Sequence, residues 1–373
     1  MSNGINAHIT GWGMSVPEKV LTNHDLAQMV ETSDEWIRER TGIRERHIAD
    51  EKDTAASLGA QAAIDALRVA KLHPEDVDLI ITATSSPEHL FPATACVIQD
   101  SIGAVRAGAF DLSAACTGFI FAIEMAAQAI RGGSIKNAVV IGAETLSRIV
   151  DWTDRNTCIL FGDGAGAFVL QASSEPGGVQ SSIMRSDGSG GDALYVPAGG
   201  SAMPASLQTV QEGMHFVKMN GREVYRFATR VMAAGAREAV EKAGMDIEDI
   251  DLIIPHQANK RIIEAAARSL KMPMEKIVVN VDKYGNTSTA SIPIATVEAI
   301  EQDRLQPGDN VVLVGFGGGL TWGALTAVWS GPLTEEPRRL HLARYRRIAW
   351  VRTMLRRIWR RIDAFLFGRG KSP

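Results

Sequence analysis

Cysteine is scarce in this chain: three among 373 residues, at positions 96, 116 and 158. Thiols so far apart suit neither a disulfide framework nor a zinc cluster, so no metal is expected and a reduced, cytoplasmic setting is. No apolar run approaches the ~20 residues that a membrane-crossing helix needs. The N-terminus lacks the charged-then-apolar pattern of a signal peptide. The glycine-rich stretch Phe161–Leu170 lacks the order and spacing of a dinucleotide or P-loop fingerprint, which argues against nucleotide binding. Excess charge is missing too: the net is −4 at pH 7, and no nucleic-acid partner is expected. What remains is an ordinary globular composition, 45% hydrophobic and 22% charged. Its length allows two domains or one large double-layered one.

The small net charge hides an asymmetry. From Leu333 onward there are 12 Lys and Arg against 3 Asp and Glu, so this tail carries +9 and residues 1–332 carry −13 of the overall −4. Over 338–367, Tyr345, Ile348, Leu355, Trp359, Ile362 and Leu366 recur at three-to-four spacing, interrupted at Arg352. Arg346, Arg347, Arg356, Arg357, Arg360 and Arg361 fill the positions between. The pattern predicts a basic amphipathic helix outside the main fold. Three fates are open to it: peripheral contact with an anionic membrane surface, packing on its own dimer or a partner, or disorder.

The rest of the chain is organised around Gly108-Ala-Phe-Asp-Leu-Ser-Ala-Ala-Cys116-Thr-Gly118. A short strand leads into it, and an alanine-rich run, Phe119 to Arg131, leaves it before Gly132-Gly133. That run reads as a buried helix with a glycine stop. Cys116 then sits at a helix N-terminus, where unpaired N–H groups and the helix dipole favour thiolate. A lone cysteine is more often a small core residue; the surroundings of this one point to a nucleophile.

In chain order, residues 5–13 read as a strand, and Thr22 or Asn23 caps a helix over Asp25–Glu31. Between Thr32 and His47, arginines crowd around Trp36. That density suits recognition of something anionic and planar, with a solvated charged loop as the plain alternative. A helix over 54–71 precedes the strand Asp78–Ala83, and further strands are expected at Ala138–Gly142 and up to Leu170. From about Gly177 to Gly213 the chain is rich in Gly, Ser and Pro and reads as an extended connection.

Then the pattern repeats. Ala63–Leu67 and Glu75–Ile81 match Ala236–Val240 and Glu248–Ile254 at an offset of 173, and Asn137–Gly142 matches Asn310–Gly315 at the same offset. Register held over so long a stretch indicates an internal duplication. The halves are 1–176 and 214–332, joined by 177–213 and followed by the tail 333–373. Strand–helix alternation in both calls for mostly parallel sheets, and two such halves give a duplicated five-layered α-β-α-β-α architecture. The offset sets Cys116 opposite Thr289, so two equivalent helices meet head-on near the duplication axis.

The second half brings partners to Cys116. His256 directly follows a hydrophobic strand, where parallel-sheet ligand sites lie. Asn286, in Lys283–Thr289, sits at the turn into the helix equivalent to that of Cys116. Gly315-Phe-Gly-Gly-Gly319-Leu-Thr-Trp322 offers exposed N–H groups that, with the Cys116 amide, can form an oxyanion hole.

The motifs Ala115–Gly118, His256–Asn259, Gly285–Ser288 and Gly317–Trp322 resemble the β-ketoacyl-acyl-carrier-protein synthase III family, the initiating condensing enzymes of dissociated fatty-acid synthesis in the thiolase superfamily. Ser33–Ile37, Arg40–His47 and Phe161–Ala165 extend the likeness over about residues 5–330. The resemblance implies a thiolase-like fold and an acyl-Cys116 intermediate. An acyl-CoA primer would then condense with malonyl-acyl-carrier protein. His256 and Asn286 would bind the malonyl thioester carbonyl and stabilise the enolate, with the Cys116 and Gly318 amides as oxyanion hole. Trp36 and Arg155 match residues that sandwich the adenine of coenzyme A, Arg40 a phosphate contact, Asn259 a pantetheine contact, and Gly221 a position in the substrate channel. Arg261, Arg226 and Arg268 match the surface that receives the carrier protein. Phe91 matches an aromatic residue reaching the acyl pocket of the other subunit, so a homodimer is implied and no cofactor is. Primer length would depend on packing around Phe91, Phe161 and Leu194.

Arg222 and Tyr225, flanking Gly221, and the tail depart from the family pattern. A condensing enzyme of specialised metabolism is the alternative, as is a hydroxymethylglutaryl-CoA synthase relative. The latter needs a catalytic glutamate, for which Glu124 and Glu144 are poorly placed. A membrane-associated scaffold is the reading from another class, and the Cys116, His256 and Asn286 set argues against it.

Overall fold

In the computed structural model, residues 4–333, 351–356 and 358–362 are described. Two mixed sheets carry the fold. The first has the order Asn6–Ser15, Gly164–Ser173, Asn137–Glu144, Leu79–Ala83, Gly108–Leu112. The second runs Gly178–Ser186, Thr321–Val328, Asn310–Gly317, Leu252–Pro255. Shifted by 173, Asn6–Ser15, Asn137–Glu144 and Leu79–Ala83 fall on Gly178–Ser186, Asn310–Gly317 and Leu252–Pro255, and Thr321–Val328 takes the place of Gly164–Ser173 in the same sheet order after a shorter connection. Among the described residues the fifth has no full counterpart, only an isolated bridge between Ile253 and Ile277.

The duplication reaches single side chains. Asp78 accepts from the Lys136 and Asn137 amides, and Asn137 donates back to the Asp76 carbonyl. Asp251, Asn310 and Asp249 repeat the arrangement in the second half. Each such clasp satisfies the otherwise open start of two neighbouring strands.

Helices Gly118–Arg131 and Ser291–Glu301 lie between the sheets, and their Phe119, Ile120, Ile123, Ile292 and Ala295 share one core with the inward faces of both. Helix Ala55–Val69, capped by Thr54 and Ser57, covers the first sheet with Thr94–Ile102. Helices Gly221–Lys242 and Lys260–Leu270 cover the second. The five layers are therefore as expected.

Three expectations are corrected. The sheets are not mostly parallel: Gly164–Ser173 and Thr321–Val328 run antiparallel to both neighbours. Thr321–Val328 follows Asn310–Gly317 through a tight glycine turn, which allows only the antiparallel direction, and Gly164–Ser173 follows Asn137–Glu144 through a long loop with a short 3-10 turn instead of a crossover α-helix. The stretch 177–213 is not wholly a connection, since Gly178–Ser186 is a nine-residue edge strand of the second sheet. Only Val179 and Ile183 bring it large buried apolar side chains, so it reads as polar. The helix after Thr22 spans only Asn23–Leu26, because the Asn23 side chain turns inward to the Ile43 carbonyl and Asp34. Of the amphipathic helix expected over 338–367, residues 351–356 and 358–362 are helical; the others lie outside the described residues.

Candidate active site

Cys116 stands in the 3-10 turn Ala115–Thr117, directly before helix Gly118–Arg131. Ala115 holds φ 46° and its duplicate Ser288 φ 48°, so both halves enter their central helix through the same left-handed turn. Such a conformation costs a non-glycine residue of order 1 kcal/mol and persists only where surroundings enforce it. Here Thr117 donates to the Ala114 carbonyl at 2.7 Å, and Thr321 reaches the same oxygen at 3.1 Å. The turns meet closely. A Cβ on Gly142 would stand 2.3 Å from the Thr289 carbonyl oxygen, and one on Gly317 would stand 2.7 Å from the Cys116 nitrogen, so both approaches require glycine.

Cys116, His256 and Asn286 line one cavity of about 1210 Å³, together with Phe161, Leu194 and Phe316. Cys116 is 7% exposed. Burial pushes it up to about 12, Glu144 adds to the rise, and the Ser288 hydroxyl opposes it. Contrary to the expectation from the helix N-terminus alone, desolvation outweighs the dipole and the resting group is a thiol.

His256 is pushed down to about 3 by burial and is neutral. Its tautomer follows from its neighbours. The Ser291 oxygen accepts from the Gln257 amide at 3.3 Å and lies 2.6 Å from His256 Nδ1; we assign the hydroxyl as donor to Nδ1. Nδ1 is then the acceptor, and Nε2 carries the ring hydrogen. Nε2 is buried without a hydrogen-bond partner among the described residues. The Phe316 ring stands edge-on to the imidazole, centroids 5.4 Å apart.

Asn286 is oriented in the same way. Its Oδ1 accepts from the Ser288 amide at 2.9 Å, which leaves its amide N–H groups for the cavity. Two neutral donors therefore face the space beside a thiol. Ser288 and Ser291 were not singled out from sequence; hydroxyls in a Ser/Thr-rich run carry no mark of which one meets a ring nitrogen.

Other expected residues are distributed around the mouth. Arg40, Gly221, Asn259, Arg226 and Arg261 line the cavity, as do Arg222 and Tyr225. Arg40 and Arg155 guanidinium carbons lie 4.4 and 5.0 Å from the Trp36 ring centre, so one arginine of the segment and one from beyond it sit on the tryptophan. Arg46 departs from it: fully buried, it donates to the Leu21 and Ile159 carbonyls and to Asn23, as a structural clamp. Asn259 caps its helix through Arg261 and donates to the Arg40 carbonyl. Arg261 packs over Tyr225 at 5.6 Å. Arg268 is exposed two turns further along the same helix and outside the cavity. Phe91, 86% exposed, is likewise not among the residues lining it.

Neither glutamate enters the cavity. Glu144 is fully buried and accepts from Ser85, Ser86 and Thr289, and Glu124 accepts from Gln128 within its helix. Among the described residues no His, Cys, Asp and Glu cluster could hold a metal.

Comparison with known proteins identifies the family. Family models described as 3-oxoacyl-[acyl-carrier-protein] synthase III and its C-terminal part match residues 110–188 and 240–329. A relative from Symbiobacterium thermophilum named beta-ketoacyl-[acyl-carrier-protein] synthase III is 55% identical over 321 residues, covering 86% of this chain and 97% of its own. The chain belongs to the β-ketoacyl-acyl-carrier-protein synthase III family. A Desulfitobacterium hafniense relative of the same name is 54% identical over 87% of this chain and 98% of its own. The crystal structure of 3-oxoacyl-[acyl-carrier-protein] synthase III from Aquifex aeolicus superposes with a TM-score of 0.80 at 47% identity, covering 87% of this chain and all of that one. The thiolase-like fold and the membership in a family of condensing acyltransferases are thereby established.

Proposed function

We propose that this enzyme joins an acyl-CoA primer to malonyl-acyl-carrier protein, giving 3-oxoacyl-acyl-carrier protein and carbon dioxide, through an acyl group on Cys116. The convergence of the Cys116 thiol, the His256 Nε2–H and the Asn286 amide on one cavity carries this reading. In the first step Cys116 sulfur bonds to the thioester carbonyl carbon, and coenzyme A leaves with the thiol proton. The helix-start N–H groups favour the thiolate as it forms.

In the second step the malonyl C–CO₂ bond breaks and its electrons form an enolate. Loss of carbon dioxide supplies the carbanion, so no external base and no metal or redox cofactor is needed. His256 and Asn286 hydrogen-bond the enolate oxygen, and a histidine kept neutral donates without a charge to desolvate. The carbanion bonds to the acyl carbon, the resulting oxyanion takes the Cys116 and Gly318 amides, and collapse expels the Cys116 thiolate.

Trp36, Arg40 and Arg155 would receive the adenine and phosphates of coenzyme A, and Asn259 and Gly221 the pantetheine arm. The exposed arginines 222, 226 and 261 at the mouth suit an acidic carrier, with Arg268 further out. Leu90 and Phe91, 87% and 86% exposed, support burial in a homodimer interface.

Replacing Cys116 by Ala is expected to abolish acyl transfer, read by intact-mass detection of the acyl-enzyme. His256→Ala or Asn286→Ala is expected to leave Cys116 acylation in place and to slow malonyl decarboxylation on the order of 10²–10³. Decarboxylation at the wild-type rate in His256→Ala would remove the enolate role.

A further inference from the structure

The C-terminal family-model match stops at residue 329, and the helix beyond it has an unusual stance. At about 100° per residue, Val351, Met354, Leu355, Ile358, Trp359 and Ile362 share one side. All six are exposed, Trp359 at 69% and Leu355 at 57%. Arg352, Thr353, Arg356, Arg360 and Arg361 take the other side. It is this polar side that meets the body. Thr353 donates to Asp100 at 2.6 Å, Arg352 stands 3.9 Å from Glu75, and of the helix's described residues only Thr353 is half-buried. A helix that belongs to a core packs the opposite way.

We propose that this outward apolar side docks on an anionic phospholipid bilayer, with the aromatic and aliphatic side chains in the headgroup–acyl boundary and Arg356, Arg360 and Arg361 at phosphate level. Charge selects this occupant. No acidic residue stands among the described residues of the helix, so its natural counterpart is apolar within and negative at the rim. The body, at −13, is repelled by such a surface, and the +9 tail is the part that is attracted. Placement keeps catalysis free. Glu75 precedes the strand Leu79–Ala83, whose other end packs at Gly118 beside the nucleophile turn. A five-residue strand spans roughly 16 Å. The helix is thus attached at the end of the first sheet away from Cys116, and the basic mouth stays open to a soluble carrier.

The test is co-sedimentation of the full chain with vesicles of phosphatidylcholine alone or of equal parts phosphatidylcholine and phosphatidylglycerol. The expected result is binding to the anionic vesicles only, reversed by high salt. Leu355→Asp with Ile358→Asp should lower partitioning at least tenfold, and Arg356→Gln, Arg360→Gln and Arg361→Gln roughly fivefold per charge removed. Cys116 acylation at the wild-type rate certifies folding. The arginine set, which puts no charge on the apolar side, decides the matter if the aspartate variant fails that check. A full chain that stays in solution overturns the proposal. So does aspartate-insensitive sedimentation, or an aspartate variant whose main change is a smaller native mass, which would mean that a second copy covers this side.

Discussion

The His256 imidazole, pushed down to about 3 by burial, stays uncharged where an exposed histidine titrates. Its NMR signals are expected to be unmoved between pH 8 and pH 5, and a midpoint near 6.5 would contradict the buried neutral ring. The sign for stability follows. As pH falls from 6.5 toward 3, the unfolded chain binds a proton that the folded one refuses, so this residue's contribution to stability declines through that window and is flat above it. Ser291 acts through the ring as a positioning residue. Ser291→Ala frees the tautomer and should slow decarboxylation by about tenfold while leaving the acyl-CoA KM unchanged, with Ser291→Thr restoring most of the rate. Nitrogen shifts of the imidazole would report the tautomer directly. Equal decarboxylation rates in Ser291→Ala and wild type would show that the hydroxyl only packs. Cys116, His256 and Asn286 were legible because each sits in a motif at a strand or helix end. The protonation state of Cys116 was not, because a helix N-terminus can be read from sequence while burial cannot.

Among the elements, the segment 32–47 shows what composition hides. Its arginines look alike in sequence, yet Arg40 sits on Trp36 while Arg46 is enclosed, its guanidinium pulled down to about 10 by burial and still charged near neutrality. Arg46 ties the stretch Leu21–Asn23 to the Ile159 carbonyl at the cavity wall. Arg46→Leu would leave these acceptors bare, at about 1–3 kcal/mol each, and a stability loss of about 3 kcal/mol or more is expected in urea unfolding. An unchanged midpoint would mean that the clamp is dispensable. The same limit applies to strands. Asn137–Glu144 and Asn310–Gly317, buried on both faces, announce themselves as hydrophobic runs, whereas Gly178–Ser186, half-exposed at an edge, does not.

For the whole molecule, charge is arranged by place. A basic mouth on an acidic body suits the proposed encounter with a negatively charged carrier. Arg261→Glu is expected to raise the KM for malonyl carrier protein several-fold while sparing acylation by acyl-CoA, and added salt should weaken the wild-type encounter. An unchanged KM would take Arg261 out of the docking surface. The duplication was readable at this scale because a constant offset survives where individual side chains diverge. It also has a consequence at its own axis. Symmetry offers two equivalent addresses for a reactive group, one behind Ala115 and one behind Ser288. Only the first holds a thiol. At the second, the Thr289 hydroxyl is bound to the Ala83 carbonyl and to Glu144, joining the second half's turn to the first half's sheet. In the proposed mechanism one twin is the reactive centre and the other its rivet, so the two halves cannot shift against each other without misaligning the chemistry they share.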